Sequence, residues 1–147
     1  MFGVVWWEAL EKGRTVNGAH YAWQLEQVKA TWFATRPAHL TKNGMILLHD
    51  NASPHRSKSA KKAIRQLRID ALPHPAYSPD LAPTDFHLFR SLEHWLRGKN
   101  FTTAAQAIAS VQAFFVSKNA AFFEHGIRAL PERWEMALDS CGHYFSI

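Results

Sequence analysis

Asp50 closes the run Ile46-Leu47-Leu48-His49-Asp50, which continues Asn51-Ala52-Ser53-Pro54-His55. Asp85 follows a proline-rich stretch, Tyr77-Ser78-Pro79-Asp80-Leu81-Ala82-Pro83-Thr84-Asp85-Phe86-His87. A carboxylate at the end of an apolar run, with another where a loop enters a helix, is how a sheet edge presents ligands to a hard cation. Mg²⁺ keeps several waters and takes few protein oxygens, so two carboxylates can hold it against phosphate. The chemistry indicated is phosphoryl transfer, with Asp50 and Asp85 as catalytic and metal-holding residues. Each aspartate alone reads equally well as a turn or first-turn helix carboxylate, and periodicity does not bring the two together. Asp80, in a Ser-Pro-Asp turn, reads as structural.

A second signal lies between Asp50 and Asp70, where no acidic residue occurs but Arg56, Lys58, Lys61, Lys62, Arg65 and Arg68 do. An ordinary solvated helix face is one reading of this run. This one-sided field points to phosphate contact, which fixes position and gives salt-dependent affinity rather than sequence readout. The net charge of +5 points the same way. Nine histidines raise the question of a metal centre. No HExxH or paired Cys/His spacing appears, so His49 and His87, with Asn51, are read as packing or hydrogen-bonding around the carboxylates. The chain has neither a glycine-rich phosphate loop nor a Gly-x-Ser-x-Gly elbow. Cys141 is its one cysteine, which excludes an internal disulfide and offers no case for a nucleophile.

The elements that must hold these residues follow from periodicity. Gly3 to Leu10 predicts a strand. Tyr21, Leu25, Val28 and Trp32 mark one face of a helix from Asn17 to Ala34. Met45 to Leu48 predicts a short buried strand. Ala60, Ala63, Ile64 and Leu67 form the apolar stripe of the basic helix. Ile69 to Leu72 predicts a second brief strand, before four prolines force an extended loop. Thr84 is the expected N-cap of the next helix, with Asp85 in its first turn and Leu88, Phe89, Leu92, Trp95 and Leu96 on its apolar face. Gly98 ends that helix. The last third predicts helices at Thr103 to Lys118, Ala121 to His125 and Pro131 to Ser140, the last with Trp134, Leu138 and Cys141 on one face.

With 147 residues, 47% of them hydrophobic, the chain has the composition of one globular domain. No run approaches the roughly 18–20 apolar residues of a membrane span. The opening residues do not read as a signal peptide. Strand and helix alternating before a helical tail argues for an α/β fold with parallel pairing.

The motifs around Asp50 and Asp85, the opening Gly3-Val4-Val5-Trp6-Trp7-Glu8 and the tail Gly126-Ile127-Arg128-Ala129-Leu130-Pro131-Glu132-Arg133-Trp134 resemble the catalytic domain of mariner-type (Tc1/mariner) transposases. The same module occurs fused to a histone-methyltransferase domain in a domesticated protein. The resemblance implies an RNase H-like mixed sheet flanked by helices, binding Mg²⁺ or Mn²⁺ and cutting and rejoining DNA. In the family a first aspartate lies on an earlier strand, in an Asp-Glu-x-Trp-type motif, and helix-turn-helix DNA-binding domains precede it. By that comparison residues 1–147 are expected to be an N-terminally truncated catalytic domain with an incomplete, weak metal site, inactive alone. Alternatives are a non-catalytic nucleic-acid-binding or dimerising module and a stand-alone metal-dependent nuclease using His49, Asp50 and His87. DNA is the implied partner, with a possible homodimer, no membrane and no small-molecule substrate. The family implies a nuclear location.

Overall fold

The computed structural model describes residues 3–42 and 44–139. They form two compact units, one spanning Val5–Tyr77 and the other formed by the described residues from Ser78 onward with Gly3 and Val4.

In the first unit, α1 (Gly18–Thr35) begins where Asn17 caps it, its side chain accepting from the His20 N–H at 2.9 Å. A short helix, α2 (Ala38–Thr41), follows. Strand β1 (Ile46–Leu48) leads through α3 (Ser53–Arg56) and α4 (Lys58–Gln66) to β2 (Asp70–Leu72). The strands pair in parallel, with Ile46 opposite Asp70 and Leu48 opposite Leu72. Parallel strands need a crossover, and α3 with α4 supplies it. The expected stripe of α4 faces inward, with Ala60 and Ala63 buried, as are Leu25, Met45 and Ile69 of the same unit. Helix α1 packs on α3 and α4. Gly18 permits the approach, because a Cβ there would lie 2.3 Å from Ser57 Oγ. That hydroxyl in turn caps α4 through the Ala60 N–H at 3.1 Å.

The predicted strand at Gly3 to Leu10 does not form. Side chains, not a ladder, hold residues 5–8. The Trp6 ring meets Trp23 edge-on at 5.9 Å, and Glu8 Oε2 accepts from Gln24 at 2.9 Å and pairs with His20 at 2.8 Å. Among the described residues the sheet is the single parallel pair.

In the second unit a 3₁₀ turn (Pro79–Leu81) and a π-helical segment (Thr84–Phe89) lead into α5 (Arg90–Leu96). Helices α6 (Ala104–Ser117) and α7 (Ala120–Asp139) follow. Phe114 is fully buried among the rings of Trp95, Phe115 and Phe122. Thr84 is not the N-cap. Pro83 already has helical backbone angles (φ −55°, ψ −28°), so the helix starts before a threonine cap could act. Both Asp85 N–H and Phe86 N–H donate to Ala82 O. Phe89, expected on the apolar face, is 52% exposed.

The two helices predicted after Ala121 are one, α7, with Pro131 inside it. Proline removes the donor to Ile127 O, and Ile127 and Pro131 are both exposed, so water can serve that carbonyl. Leu138, expected to pack, is 79% exposed. Ser140, the predicted end of that helix, and Cys141 of its stripe lie outside the described residues. Among the described residues no helix is long and apolar enough to cross a membrane.

Candidate functional site

Parallel pairing places the C-terminal ends of β1 and β2 side by side, the edge at which open α/β sheets bind ligands. The loop leaving β1 carries His49, Asp50 and Asn51. Asn51 Nδ2 donates to His74 O at 2.9 Å, tying it to the chain that leaves β2. Asp50 Oδ1 accepts from the Ala52 N–H at 3.0 Å and meets His55 Nδ1 at 2.6 Å. The Ala52 bond, then the His55 bond and charge, hold this carboxyl below its usual range against a smaller effect of burial. Its side chain remains 56% exposed.

His55 sits in an aromatic group, 4.1 Å from the Tyr21 ring and 5.0 Å from that of His49. Tyr21 Oη and His49 Nδ1 are 2.8 Å apart. Burial, with nearby His55, depresses the His49 imidazole and favours its neutral form. Burial and the Asp50 charge push the Tyr21 phenol up, so it stays protonated.

An open cleft of about 410 Å³ is lined by His49, Asp50, Asn51, His55, Arg56, Lys61 and Arg65, with Ile64 and Ala71 at its apolar wall. Two separate sequence signals, the carboxylate loop and the basic helix, thus meet at one surface. Lys58, Lys62 and Arg68 are exposed but do not line the cleft. Among the described residues none of the six cations is in an ion pair, so their charge is available to an anion.

Asp85 and His87 belong to the second unit. Asp85 is exposed in the first π-helical turn, its N–H donating to Ala82 O at 2.8 Å. π-Helical turns are rare and recur at functional sites. His87 is committed to α7. Its Nε2–H donates to Phe122 O at 2.8 Å, and its ring lies where a Cβ on Gly126 would be 2.5 Å from Cδ2. Phe86 lies under the Arg133 guanidinium, 3.9 Å from ring centroid to Cζ. Tyr21, His55, His74 and Arg133 were not singled out as site residues from sequence. The signal for His55 was its place in the Asp50 motif, whereas Tyr21 and Arg133 arrive only through tertiary packing.

Carboxylate oxygens suit Mg²⁺ or Mn²⁺. Asp50 fits such an ion, since its hydrogen bonds use Oδ1 and none among the described residues uses Oδ2. Among the described residues no group of three or more His, Cys, Asp or Glu is gathered for a metal ion.

No family model matches the chain. Over 143 residues it is 38% identical to the mariner Mos1 transposase of Drosophila mauritiana, covering 97% of this chain and 41% of the relative. Over 149 residues it is 35% identical to the human histone-lysine N-methyltransferase SETMAR, covering 96% of this chain and 22% of the relative. The chain thus spans less than half the length of these curated relatives. Its fold superposes on the Mos1 transposase catalytic domain, solved with raltegravir and Mn, with a TM-score of 0.93 at 39% identity, covering 98% of this chain and 72% of that one. The Mos1 paired-end complex with Mn gives a TM-score of 0.92 at 39% identity, covering 98% of this chain and 42% of that one. The α/β, RNase H-like expectation is met by these superpositions. With this identity across most of a solved catalytic domain, the chain belongs to the mariner transposase family and is homologous to its catalytic domain.

Proposed function

We propose that residues 1–147 are part of one RNase H-like catalytic domain that acts on DNA in transposition. In this reading Asp50 and Asp85 are two of its cation-holding carboxylates, taking Mg²⁺ or Mn²⁺. The observation that carries it is the Asp50 cleft, where a half-exposed carboxylate shares a wall with Arg56, Lys61 and Arg65. A carboxylate alone repels a phosphodiester. Three cations beside it make the approach favourable, and Lys58 and Lys62 on α4, with Arg68 just beyond its end, extend the positive field. A bound divalent cation would supply Lewis acidity toward the phosphodiester. His55 and the Ala52 N–H orient Asp50, neutral His49 buttresses His55 through ring stacking, and Asn51 fixes the loop. His87 anchors the Asp85 helix from the opposite end of its first turns. A DNA substrate implies a nuclear location, and a second copy of the chain is the further partner proposed.

Duplex-DNA anisotropy with a salt titration, combined with Mn²⁺ calorimetry, tests this reading. DNA binding should weaken steeply with salt and fall in a Lys61→Ala, Lys62→Ala, Arg65→Ala triple variant. Mn²⁺ binding should weaken in Asp50→Ala and in Asp85→Ala. Salt-insensitive DNA binding untouched by the triple variant would remove the basic helix from the site.

A non-catalytic DNA-binding module is the second reading, favoured by six exposed cations that form no ion pair among the described residues. Under it, DNA affinity is unchanged by EDTA and by either aspartate variant, and Mn²⁺ does not bind. Plasmid nicking that requires Mn²⁺ and vanishes in Asp50→Ala and Asp85→Ala would instead identify a nuclease active as this chain alone.

A further inference from the structure

Asp85 is flanked by a backbone carbonyl and an aromatic ring that a single distant side chain holds at once. On its N-terminal side is the turn Pro79–Leu81, where Arg133 Nη1 donates to Asp80 O at 3.2 Å. On its C-terminal side is Phe86, whose ring centroid lies 3.9 Å from Arg133 Cζ. Between the two contacts lie Leu81, Ala82, Pro83, Thr84 and Asp85.

We propose that Arg133 is a positioning residue for Asp85, clamping both flanks of this carboxylate from α7. The proposal rests on the reading of Asp85 as a cation-holding group. An arginine suits the task because its planar guanidinium can stack on a ring face and donate in its own plane simultaneously, which a lysine ammonium cannot do. The clamp has a second point on the same helix. Phe122 O, four residues before Gly126 and eleven before Arg133, accepts from His87 Nε2, and the His87 ring rests on Gly126. Residues at i, i+4 and i+11 share one helix face, so α7 presents a single surface to the segment around Asp85. Helix α7 does pack on both the Pro79–Leu81 turn and the Thr84–Phe89 segment. The turn's own acid does not serve this purpose through its buried oxygen, since Asp80 Oδ1 has no hydrogen-bond partner among the described residues. Leu81 is buried, which fixes the turn against the unit while Arg133 fixes its carbonyl.

The test is a Mn²⁺ titration of the 147-residue chain, read as NMR line broadening at the Asp85 and Phe86 amides, with thermal melts alongside. Residues that orient a metal ligand typically contribute 10–100-fold in metal affinity, so Arg133→Ala should weaken Mn²⁺ at Asp85 by roughly tenfold while the protein still melts cooperatively. Arg133→Lys should recover part of the loss, and Arg133→Met, unbranched but uncharged, none. Phe86→Leu removes the stacking half of the clamp and should give an intermediate loss. Wild-type Mn²⁺ affinity at Asp85 in both Arg133→Ala and Phe86→Leu would overturn the proposal. So would equal recovery by lysine and methionine, the mark of bulk packing alone. Absence of broadening at Asp85 in the unsubstituted chain would overturn the carboxylate reading itself, leaving Arg133 nothing to position. The two failures therefore appear in different samples.

Discussion

His55 Nδ1 stands 2.6 Å from Asp50 Oδ1, and the same oxygen accepts the Ala52 N–H at 3.0 Å. One oxygen of the carboxylate is thereby fixed in direction, and the other is aimed by it. Replacing His55 with alanine should lower Mn²⁺ affinity by about tenfold. It should also raise the Asp50 carboxyl toward its ordinary range, incompletely, because the Ala52 bond is the larger cause of the depression. Carboxyl-carbon NMR of labelled aspartate, with calorimetry, reads both effects. No change in either would make the contact incidental.

Lys61 and Arg65 line the cleft and should each meet a DNA phosphate. Each such contact contributes about 0.9 to the slope of log affinity against log salt. The double alanine variant is expected to reduce that slope by about 2 and to weaken all duplex sequences alike. Loss of affinity with an unchanged slope would mean that the two side chains act through folding instead.

Gly18→Ala should destabilise the protein, although alanine is the better helix former by about 1 kcal/mol. A Cβ at Gly18 would lie 2.3 Å from Ser57 Oγ and 2.4 Å from Ser57 Cβ, and overpacking of this kind typically costs about 1–3 kcal/mol. Ser57→Gly removes both atoms and costs only a few tenths of a kcal/mol at a cap position, so the double variant should recover most of the loss. Urea denaturation of the three variants checks the sign at each step.

The Glu8 carboxyl is held below its ordinary value by the hydrogen bond from Gln24, then by that to His20. A depressed acid stabilises the fold fully above the unfolded-state value near 4.5 and loses that contribution as pH falls through its lower folded value. Acidification below about pH 4.5 should therefore release residues 5–8 from α1, seen as a change in the near-ultraviolet circular dichroism of Trp6 and Trp23, whose rings are in contact. In Glu8→Gln that acid limb should flatten. A limb of the same size in the variant would assign it to another group.

Much of the scaffold was legible because local chemistry and packing agree. The helix expected from Asn17 to Ala34 forms, with Asn17 as its cap; Ala60 and Ala63 are spaced for burial and are buried; the two brief apolar runs pair as strands. The carboxylate loop and the basic helix were each read from residue type. Their meeting at one cleft follows from the parallel crossover, which composition alone does not specify. Misreadings occurred where tertiary contacts override a local cue. Pro131 resembles a helix start, yet α7 runs through it, with Gly126 and Leu130 buried on one side and Ile127 and Pro131 exposed on the other. Gly3 to Leu10 has strand composition, but the side chains of Trp6 and Glu8 are taken by Trp23, His20 and Gln24 of α1, and Phe123 lies 3.1 Å from where a Gly3 Cβ would be. The π winding at Thr84–Phe89 was invisible, since the apolar spacing there fits an ordinary helix equally well.

That winding gives the stretch a slack in chain length that an ordinary helix lacks. A π turn holds a surplus residue relative to its α counterpart, so removing any one position between 84 and 89 would let the segment relax into the common form. The surplus residue and its extra rotation would leave together, so side chains downstream would keep their directions. Trp95 would stay on the ring of Phe114, 5.9 Å away, and the hydrophobic centre of that unit would persist. A one-codon deletion that would turn an ordinary helix by about 100° is absorbed in this interval.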